Sequence, residues 1–342
     1  MRDEPDLSGI VEQRCPNAIH GGRDALGDAD LTLEQRICTL LETLDAKTSV
    51  YAKHLPSGRE VAIRADEPVN ALSTIKVALL VLAFRDAEAG MLDLDARVVL
   101  RAEEIRRGSG VLQTFDPGLQ PTIRDLVTQM IVTSDNTATD ILIGRLGLER
   151  VNAMLADRGY AKTRLQRTIG AGFRRLWELA DPATASWSDR EAFERGYPSD
   201  PDAPARAFAF AADPAEWLAP TTAREMSRLL EQIQNAELAS REGSDQMLGI
   251  LRQQVYASRL PRRIAQRVEI AHKTGDWPPV AGHDVGILYG ADGPIVVSVY
   301  ASENRGDFVE LEAAHGWIAQ WLLDAWGDDG SNIERAEPHL AG

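Results

Sequence analysis

Alternating apolar and polar residues mark strands near both ends of the chain. Residues 48–55 and 60–65 alternate on either side of a Pro-Ser-Gly sequence, which predicts a β-hairpin. Residues 267–275, 283–290 and 294–302 predict three further strands, the last two joined by an Ala-Asp-Gly turn. Because predicted helices fill the middle of the chain, we expect an α+β domain in which the terminal strands form one antiparallel sheet.

Apolar positions recur at helical spacing through most of the remaining chain. Helices are predicted over residues 32–45, from Ser73 to Gly90, and over residues 121–134, 137–147, 148–159, 221–234 and 308–326. Residues 168–220 are rich in Pro, Asp, Ala and Ser and show little periodicity, which predicts a long irregular insertion or mobile loop. The helices of about residues 71–225 are expected to form a helical subdomain, with a cleft between it and the sheet.

The same patterns divide the chain into three parts. Residues 1–30 are polar and predict a loose N-terminal arm. Residues 31–328 contain all the predicted strands and helices, and therefore form the one folded domain. Residues 329–342 are expected to form a C-terminal tail.

Charge and cysteine content limit the partners and the compartment. The formal net charge of −15 repels phosphate backbones and anionic lipid surfaces, so neither nucleic acid nor a membrane is an expected partner. The two cysteines, Cys15 and Cys38, are expected to be unpaired thiols. The N-terminus as written lacks the apolar core of a secretory signal. We expect a monomeric cytoplasmic protein, or a periplasmic or secreted one if a leader has been removed.

Three short motifs carry the candidate chemistry. Residues 73–76 read Ser-Thr-Ile-Lys at a predicted helix start, residues 134–136 read Ser-Asp-Asn between two helices, and residues 273–275 read Lys-Thr-Gly on a predicted strand. Each motif alone has an ordinary structural interpretation as a helix cap, an interhelix turn or a strand exit. Their occurrence together, in this order and on these elements, favours catalysis.

The first two motifs supply the groups that a serine nucleophile requires. Ser73 needs a base to take its proton, and Lys76 lies on the same helix face three residues later. The helix N-terminus and a second cation both lower the pKa of such a lysine. Ser134 is a candidate relay that carries a proton to the leaving nitrogen. Asn136 is a candidate to hold both the lysine and a substrate carbonyl.

The third motif predicts a binding site for an anionic small molecule. Lys273 and Thr274 offer a cation and a hydroxyl to a substrate carboxylate, and Gly275 keeps the strand clear for close approach. The six histidines are scattered and show no metal-ligand spacing. No metal or other cofactor is therefore predicted.

With these motifs the chain resembles the class A serine β-lactamases and their penicillin-recognising relatives over about residues 30–328. The resemblance implies an α/β sandwich with one five-stranded antiparallel sheet and an all-helical subdomain. It also implies that Ser73 is acylated, that Lys76 is its proton partner, and that Ser134 is a second catalytic residue. The implied oxyanion hole consists of the backbone amides of Ser73 and Asp276. The implied substrate-binding residues are Asn136, Lys273, Thr274, Gly275 and Asp276.

One departure from the family pattern concerns release of the acyl group. The family carries a glutamate shortly after an Arg-Leu-x-Arg stretch, and that glutamate activates the deacylating water. Here residues 164–167 supply the stretch, but Ile169 falls at the glutamate position. Either a carboxylate within the 168–220 insertion replaces it, with Glu178 the first candidate and Asp181 the second, or deacylation is slow or proceeds differently.

Three functions remain open from the sequence. The leading one is a β-lactamase-like serine hydrolase that opens a β-lactam through an acyl-serine and so contributes to β-lactam catabolism and antibiotic resistance. The second is a penicillin-binding-type D,D-peptidase, esterase or amidase with a non-antibiotic substrate, which the substitution at Ile169 favours. The third is a binding protein that never turns over, which the intact trio of motifs disfavours.

Overall fold

The computed structural model describes residues 31–327, so the predicted arm and the predicted tail lie outside the described residues. The strands are β1 (Lys47–His54), β2 (Glu60–Ile63), β3 (Val69–Asn70), β4 (Pro220–Thr221), β5 (Ile270–Trp277), β6 (Ala281–Gly290) and β7 (Gly293–Ser302). The helices are α1 (Leu33–Leu41), α2 (Lys76–Glu88), α3 (Ile123–Val132), α4 (Asn136–Leu146), α5 (Leu148–Asp157), α6 (Ile169–Ala180), α7 (Asp189–Arg195), α8 (Ala203–Ala212), α9 (Ala223–Gln234), α10 (Arg241–Leu251) and α11 (Phe308–Trp326).

Five strands form one antiparallel sheet in the order β2-β1-β7-β6-β5. They are the N-terminal hairpin and the three C-terminal strands predicted from alternation, and the predicted fold class is confirmed. β5, which carries the Lys-Thr-Gly motif, is an edge strand and lies beside the turn that contains Ser73. The short β3–β4 pair was not predicted, because two-residue strands carry no alternation.

The sheet is covered on both faces, because successive side chains of a strand point to opposite sides. In β1, Val50 and Ala52 pack with α1 and α11, whereas Tyr51 belongs to the larger core shared with the helical subdomain. In β7, Val297 and Val296 divide between the same two cores. Helix α9 lies against β1, β6 and β7 and joins the sheet to the helical subdomain.

Helix α2 is the centre of the helical subdomain. Its residues from Lys76 to Phe84 are all buried, as expected for a helix that is surrounded by other elements. It packs against α3, α4, α5, α9 and α10. The only charges among its buried residues are Lys76 and Asp86, and Arg150 binds both carboxylate oxygens of Asp86 at 2.7 Å. The helix therefore presents its first residue to the site from a rigid core.

Two predictions about residues 168–220 and the cysteines were wrong. The segment expected to be an irregular insertion or mobile loop contains the three helices α6, α7 and α8. Thr168 caps α6 by accepting from the backbone N–H of Ala171, and Ser188 forms a capping box at the start of α7. Cys38 is disulfide-bonded rather than a free thiol, while Cys15 lies outside the described residues. None of the helices in residues 31–327 has the length and apolar character needed to cross a bilayer.

Candidate active site

Ser73 lies in a tight turn that leads directly into α2. Residues Leu72–Ile75 form a 3₁₀ turn, and the α-helix begins at Lys76. Leu72 has a φ of 48°, a strained value for a residue with a branched side chain, and its N–H lies 3.3 Å from the Asn70 side-chain oxygen. Ser73 itself is partly exposed and lines the main cleft. The predicted position of Ser73 at a helix start is confirmed.

Lys76 is fully buried one turn after Ser73. Its Nζ donates to the Ser134 carbonyl at 2.7 Å and to Asn136 Oδ1 at 2.9 Å, and it lies 3.2 Å from Ser134 Oγ. Burial lowers the pKa of Lys76 well below its ordinary value, and the nearby Lys273 charge lowers it further. A neutral amine has two N–H donors, which the two carbonyl oxygens occupy. Its lone pair is then available to accept a proton from a hydroxyl.

Ser134 joins the two lysines. Its side chain is buried between α3 and α4, and its Oγ accepts from Lys273 Nζ at 2.9 Å. The residue has a φ of 54°, which turns its carbonyl toward Lys76. Ser109 Oγ donates to the same carbonyl at 2.9 Å. Because Lys273 donates to Ser134 Oγ, the hydroxyl proton of Ser134 is directed away from that lysine, toward Lys76 or the cleft.

Asn136 opens α4 and is fixed by a loop that sequence reasoning missed. Its side-chain N–H donates to the Arg107 carbonyl at 2.8 Å, and its backbone N–H donates to the Ser109 carbonyl at 3.0 Å. A Cβ at Gly108 would lie 2.7 Å from the Asn136 side-chain nitrogen, and one at Gly110 would overlap Asp135. Both glycines have a positive φ. The Gly-Ser-Gly sequence was the signal that could have found this loop, because glycines on both sides of a polar residue indicate close backbone approach.

Lys273, Thr274 and Gly275 lie on a strand, as the sequence predicted, and the structure places this strand at the sheet edge beside the nucleophile turn. Lys273 is fully buried, and burial lowers its pKa to about 7. The buried Thr274 Oγ1 has no hydrogen-bond partner within residues 31–327, so it is free to bind a ligand. A Cβ at Gly275 would lie 2.9 Å from the Ala71 carbonyl oxygen. Only glycine lets the strand approach the turn this closely.

Asp276 follows these residues and forms part of the cleft wall. Its carboxylate accepts from Arg259, whose other terminal nitrogen donates to the His283 carbonyl at 2.8 Å. Arg259 also lies 3.4 Å from the Glu312 carboxylate. Since Arg259 engages the Asp276 side chain, the group that Asp276 can offer to a substrate oxygen is its backbone N–H.

Glu178 is the exception among the predicted site residues. It lies on α6, its carboxylate accepts from Arg175 Nη1 at 3.2 Å, and it is not among the residues that line the cleft. Asp181, the second candidate, accepts from the backbone N–H of Ala183 in the turn after α6. The structure thus brings the other predicted residues together and leaves Glu178 and Asp181 apart from them.

Ile169 lines the cleft at the position where a glutamate was expected. It is the first residue of α6, and its N–H donates to Asp140 Oδ1 at 2.7 Å. Asp140 Oδ2 accepts from the next backbone N–H at 2.8 Å and from Arg106 Nε at 2.7 Å. Asp140 lies four residues after Asn136 on α4, so its hydrogen bonds connect the start of α6 to the helix that carries Asn136. No local pattern around Asp140 indicates this long-range contact.

The cleft has a volume of about 1080 Å³ and extends from Ser73 to the helices of the insertion. The carboxylates that line it within the described part of the chain are Asp200, Glu216, Asp276 and Glu312, and each is ion-paired to arginine. Among residues 31–327, no group of three or more His, Cys, Asp or Glu side chains is arranged to hold a metal ion. Ser73 is the nucleophile candidate that lines the cleft, and the two lysines and Ser134 are buried behind it.

The site combines a serine at the start of a buried helix, two buried lysines and a second serine on one α/β sandwich, which is the arrangement that the resemblance in the sequence implies. The chain belongs to the beta-lactamase enzyme family, whose family model matches residues 32–326. The resemblance predicted from the three motifs is confirmed.

Individual relatives agree with this assignment. Beta-lactamase L2 of Stenotrophomonas maltophilia is 33% identical over 141 residues, which are 41% of this chain and 46% of that protein. The chain spans about half the length of the curated relatives it matches. A beta-lactamase structure from Sphaerobacter thermophilus has a TM-score of 0.69 at 26% identity, covering 86% of this chain and 97% of that one. The structure of PBP-A has a TM-score of 0.68 at 23% identity, covering 86% and 95%, which is a likeness of fold.

Proposed function

We propose that the protein is a serine hydrolase that opens a β-lactam through an acyl-enzyme at Ser73. The observation that carries the proposal is the convergence of Lys76 and Lys273 on Ser134 Oγ, at 3.2 and 2.9 Å, beside the exposed nucleophile. Two buried lysines that share one hydroxyl have little structural use, since desolvated charges destabilise a fold. They are useful where protons must move between a serine and a leaving amine.

We propose the following acylation step, in which Lys76, one helical turn after Ser73, is the base. The neutral Lys76 amine takes the Ser73 hydroxyl proton as Ser73 Oγ bonds to the lactam carbonyl carbon. The backbone N–H groups of Ser73 and Asp276 stabilise the oxyanion. The C–N bond then breaks, and the proton passes from Lys76 through Ser134 Oγ to the lactam nitrogen. Lys273 as its ammonium form, with Thr274 Oγ1, binds the substrate carboxylate.

We propose that deacylation is the slow step. Ile169 presents no carboxylate, and Glu178 does not line the cleft. Arginines pair with every carboxylate that lines the cleft within residues 31–327, and a paired carboxylate is a weak base. This observation also favours the second function, a penicillin-binding-type peptidase, esterase or amidase that is acylated by β-lactams and releases them slowly.

We propose an oxidising compartment outside the cytoplasm, because Cys38 is disulfide-bonded and structural disulfides are rare in reducing compartments. Alkylation of the denatured, unreduced protein is expected to leave Cys38 unmodified, and peptide mass spectrometry reads this directly. Complete alkylation of Cys38 in protein isolated from its native cells would contradict the proposed oxidising compartment.

One experiment tests the function: a chromogenic cephalosporin is mixed with the protein, and intact mass is followed during the reaction. We expect a burst of one equivalent, an adduct on the wild type and slow turnover. Ser73→Ala is expected to form no adduct, whereas Ser57→Ala, in the distant β1–β2 turn, is expected to behave as the wild type. An adduct retained by Ser73→Ala, or no adduct on the wild type, would refute the assigned nucleophile. Fast steady turnover would refute slow deacylation.

A further inference from the structure

The inserted helices form one closed unit at the edge of the cleft. Backbone N–H groups of residues 164–166 donate to carbonyls of residues 218–220 at 3.1 and 2.9 Å, so the chain leaves and returns through a short ladder. Arg167 and Glu216 close this neck with an ion pair of 2.9 Å, and Arg175 of α6 binds the same Glu216 carboxylate at 2.9 Å. These contacts fix the inserted residues in place, where they form one wall of the cleft.

This wall is apolar where it faces the cleft. Its cleft-lining apolar and aromatic residues include Ile169, Phe173, Leu176, Tyr197, Phe208 and Phe210. Its charged cleft-lining groups are already paired, Arg206 with Asp200 and Glu216 with Arg167. Within residues 31–327, the wall therefore presents no unpaired charge that would attract a polar substituent.

The wall packs against the end of β5. Phe210 of α8 contacts the ring of Trp277 edge-on, with ring centroids 5.4 Å apart. The guanidinium of Arg305 lies over the Phe208 ring at 4.0 Å, and the Trp217 indole N–H donates to the Ala211 carbonyl at 2.8 Å. Trp277 is the last residue of β5, the strand that also carries Lys273. The apolar region and Ser73 therefore line one continuous cavity.

The order of groups along β5 indicates which part of a substrate meets the wall. Lys273 and Thr274 come first, and in the proposed function they bind the substrate carboxylate. Asp276 comes next, and its backbone N–H donates to the substrate carbonyl oxygen. Residues 277–280 follow and line the cleft beside α8. A substrate that runs along this strand therefore directs its acyl side, away from its carboxylate, toward the insertion.

We propose that the insertion forms a binding pocket for a large apolar substituent, an alkyl chain or an aryl group, on the acyl side of the substrate. The inference rests on the proposed function, because it takes acylation of Ser73 as given. The cavity volume of about 1080 Å³ lies just above the range of roughly 300–1,000 Å³ usual for small-molecule pockets. A β-lactam nucleus with a small substituent leaves most of that space unfilled.

The test is a series of penicillins whose side chains lengthen from acetyl to octanoyl, with the second-order acylation rate constant measured by quenched intact-mass spectrometry. The rate constant is expected to rise up to about fourfold for each methylene that enters the pocket. A rate constant independent of chain length would overturn the pocket while leaving the proposed function intact. Absence of an adduct with every member would overturn the proposed function itself.

Matched variants locate the effect. A Cβ at Gly172 on α6 would meet only Arg167 Cδ, at 4.0 Å, so Gly172→Phe is expected to fill the pocket and flatten the dependence on chain length. A Cβ at Gly249 on α10 would meet nothing within 4 Å, and Gly249 lies away from the cleft, so Gly249→Phe is expected to keep the full dependence. An unchanged dependence in folded Gly172→Phe would overturn the proposal.

A second pair tests the same wall without adding bulk. Leu176 and Leu179 lie one turn apart on α6, and of the two only Leu176 lines the cleft. Leu176→Ala is expected to lower the acylation rate constant for the octanoyl compound several-fold more than that for the acetyl compound. Leu179→Ala is expected to affect both equally or not at all. A selective loss with the octanoyl compound in Leu179→Ala, and none in Leu176→Ala, would show that the substituent does not bind in this pocket.

Discussion

The close approach of the edge strand to the nucleophile turn makes Gly275→Ala the sharpest single test of the site geometry. The added Cβ would lie 2.9 Å from the Ala71 carbonyl oxygen, 3.2 Å from Thr74 Cγ2 and 3.3 Å from Leu72 Cβ. The first contact is with backbone, which no side-chain rotation relieves. Either β5 or the turn that contains the nucleophile must therefore move by several tenths of an ångström.

The cost of this movement has a structural and a catalytic part. Overpacking by one methyl group in a rigid region costs about 1–3 kcal/mol of unfolding free energy. The movement also separates Ser73 from the backbone N–H of Asp276, which together form the proposed oxyanion hole. Because a misplacement of about 1 Å costs on the order of a hundredfold in rate, we expect Gly275→Ala to lower the acylation rate constant about ten- to a hundredfold.

The assay is acylation by a chromogenic cephalosporin, followed as the burst rate, together with urea unfolding of the same preparations. Gly249→Ala is the matched control, because the same methyl group meets nothing within 4 Å on α10. It is expected to leave acylation unchanged and to raise stability by up to about 1 kcal/mol, as alanine does in a helix. An acylation rate for Gly275→Ala within twofold of the wild type would refute the reasoning.

Three further outcomes are expected. Because burial lowers the pKa of Lys273 to about 7, the acylation rate constant for a carboxylate-bearing substrate should fall as pH rises through that value and the ammonium is lost. The methyl ester of the substrate should lack this alkaline fall, and identical profiles would contradict the role of Lys273. Asp140→Ala removes two backbone hydrogen bonds at the start of α6 and should cost about 2–4 kcal/mol in urea unfolding, whereas a loss below about 1 kcal/mol would show that α6 is held by other contacts. Glu178→Gln should leave the hydrolysis rate of the acyl-enzyme within twofold, and a tenfold fall would identify Glu178 as the base.

Local patterns were sufficient for the sheet and for the reacting groups. Strand alternation reports burial on two faces directly, so β1, β2, β5, β6 and β7 were all predicted in place. The motif residues were found because three short motifs occur together in a fixed order, each on the kind of element that the sequence predicts. The contacts between the motifs could not be predicted in this way. Lys273 and Ser134 are 139 positions apart, and spacing along the chain does not reveal that they form a hydrogen bond.

The helices of the insertion were missed for a physical reason. In α6, Phe173, Leu176 and Ala180 follow helical spacing and Thr168 is a good N-cap, but Gly170 and Gly172 weaken the helix propensity of the first turn. That turn is stabilised instead by Asp140, whose carboxylate accepts from its first two N–H groups. A helix whose start depends on a residue of another helix has no complete local signal.

The same contact connects two properties that look separate in the sequence. Asp140 lies one turn after Asn136 on α4 and accepts from the backbone N–H of Ile169, the residue at the position where the family's pattern has a carboxylate. From that point α6 continues into the apolar wall through Phe173 and Leu176. Ile169 therefore belongs to both proposals: it supplies no base for deacylation, and it lines the cleft beside the apolar residues of the insertion. The proposed pocket and the proposed slow release of the acyl group thus share the first turn of α6.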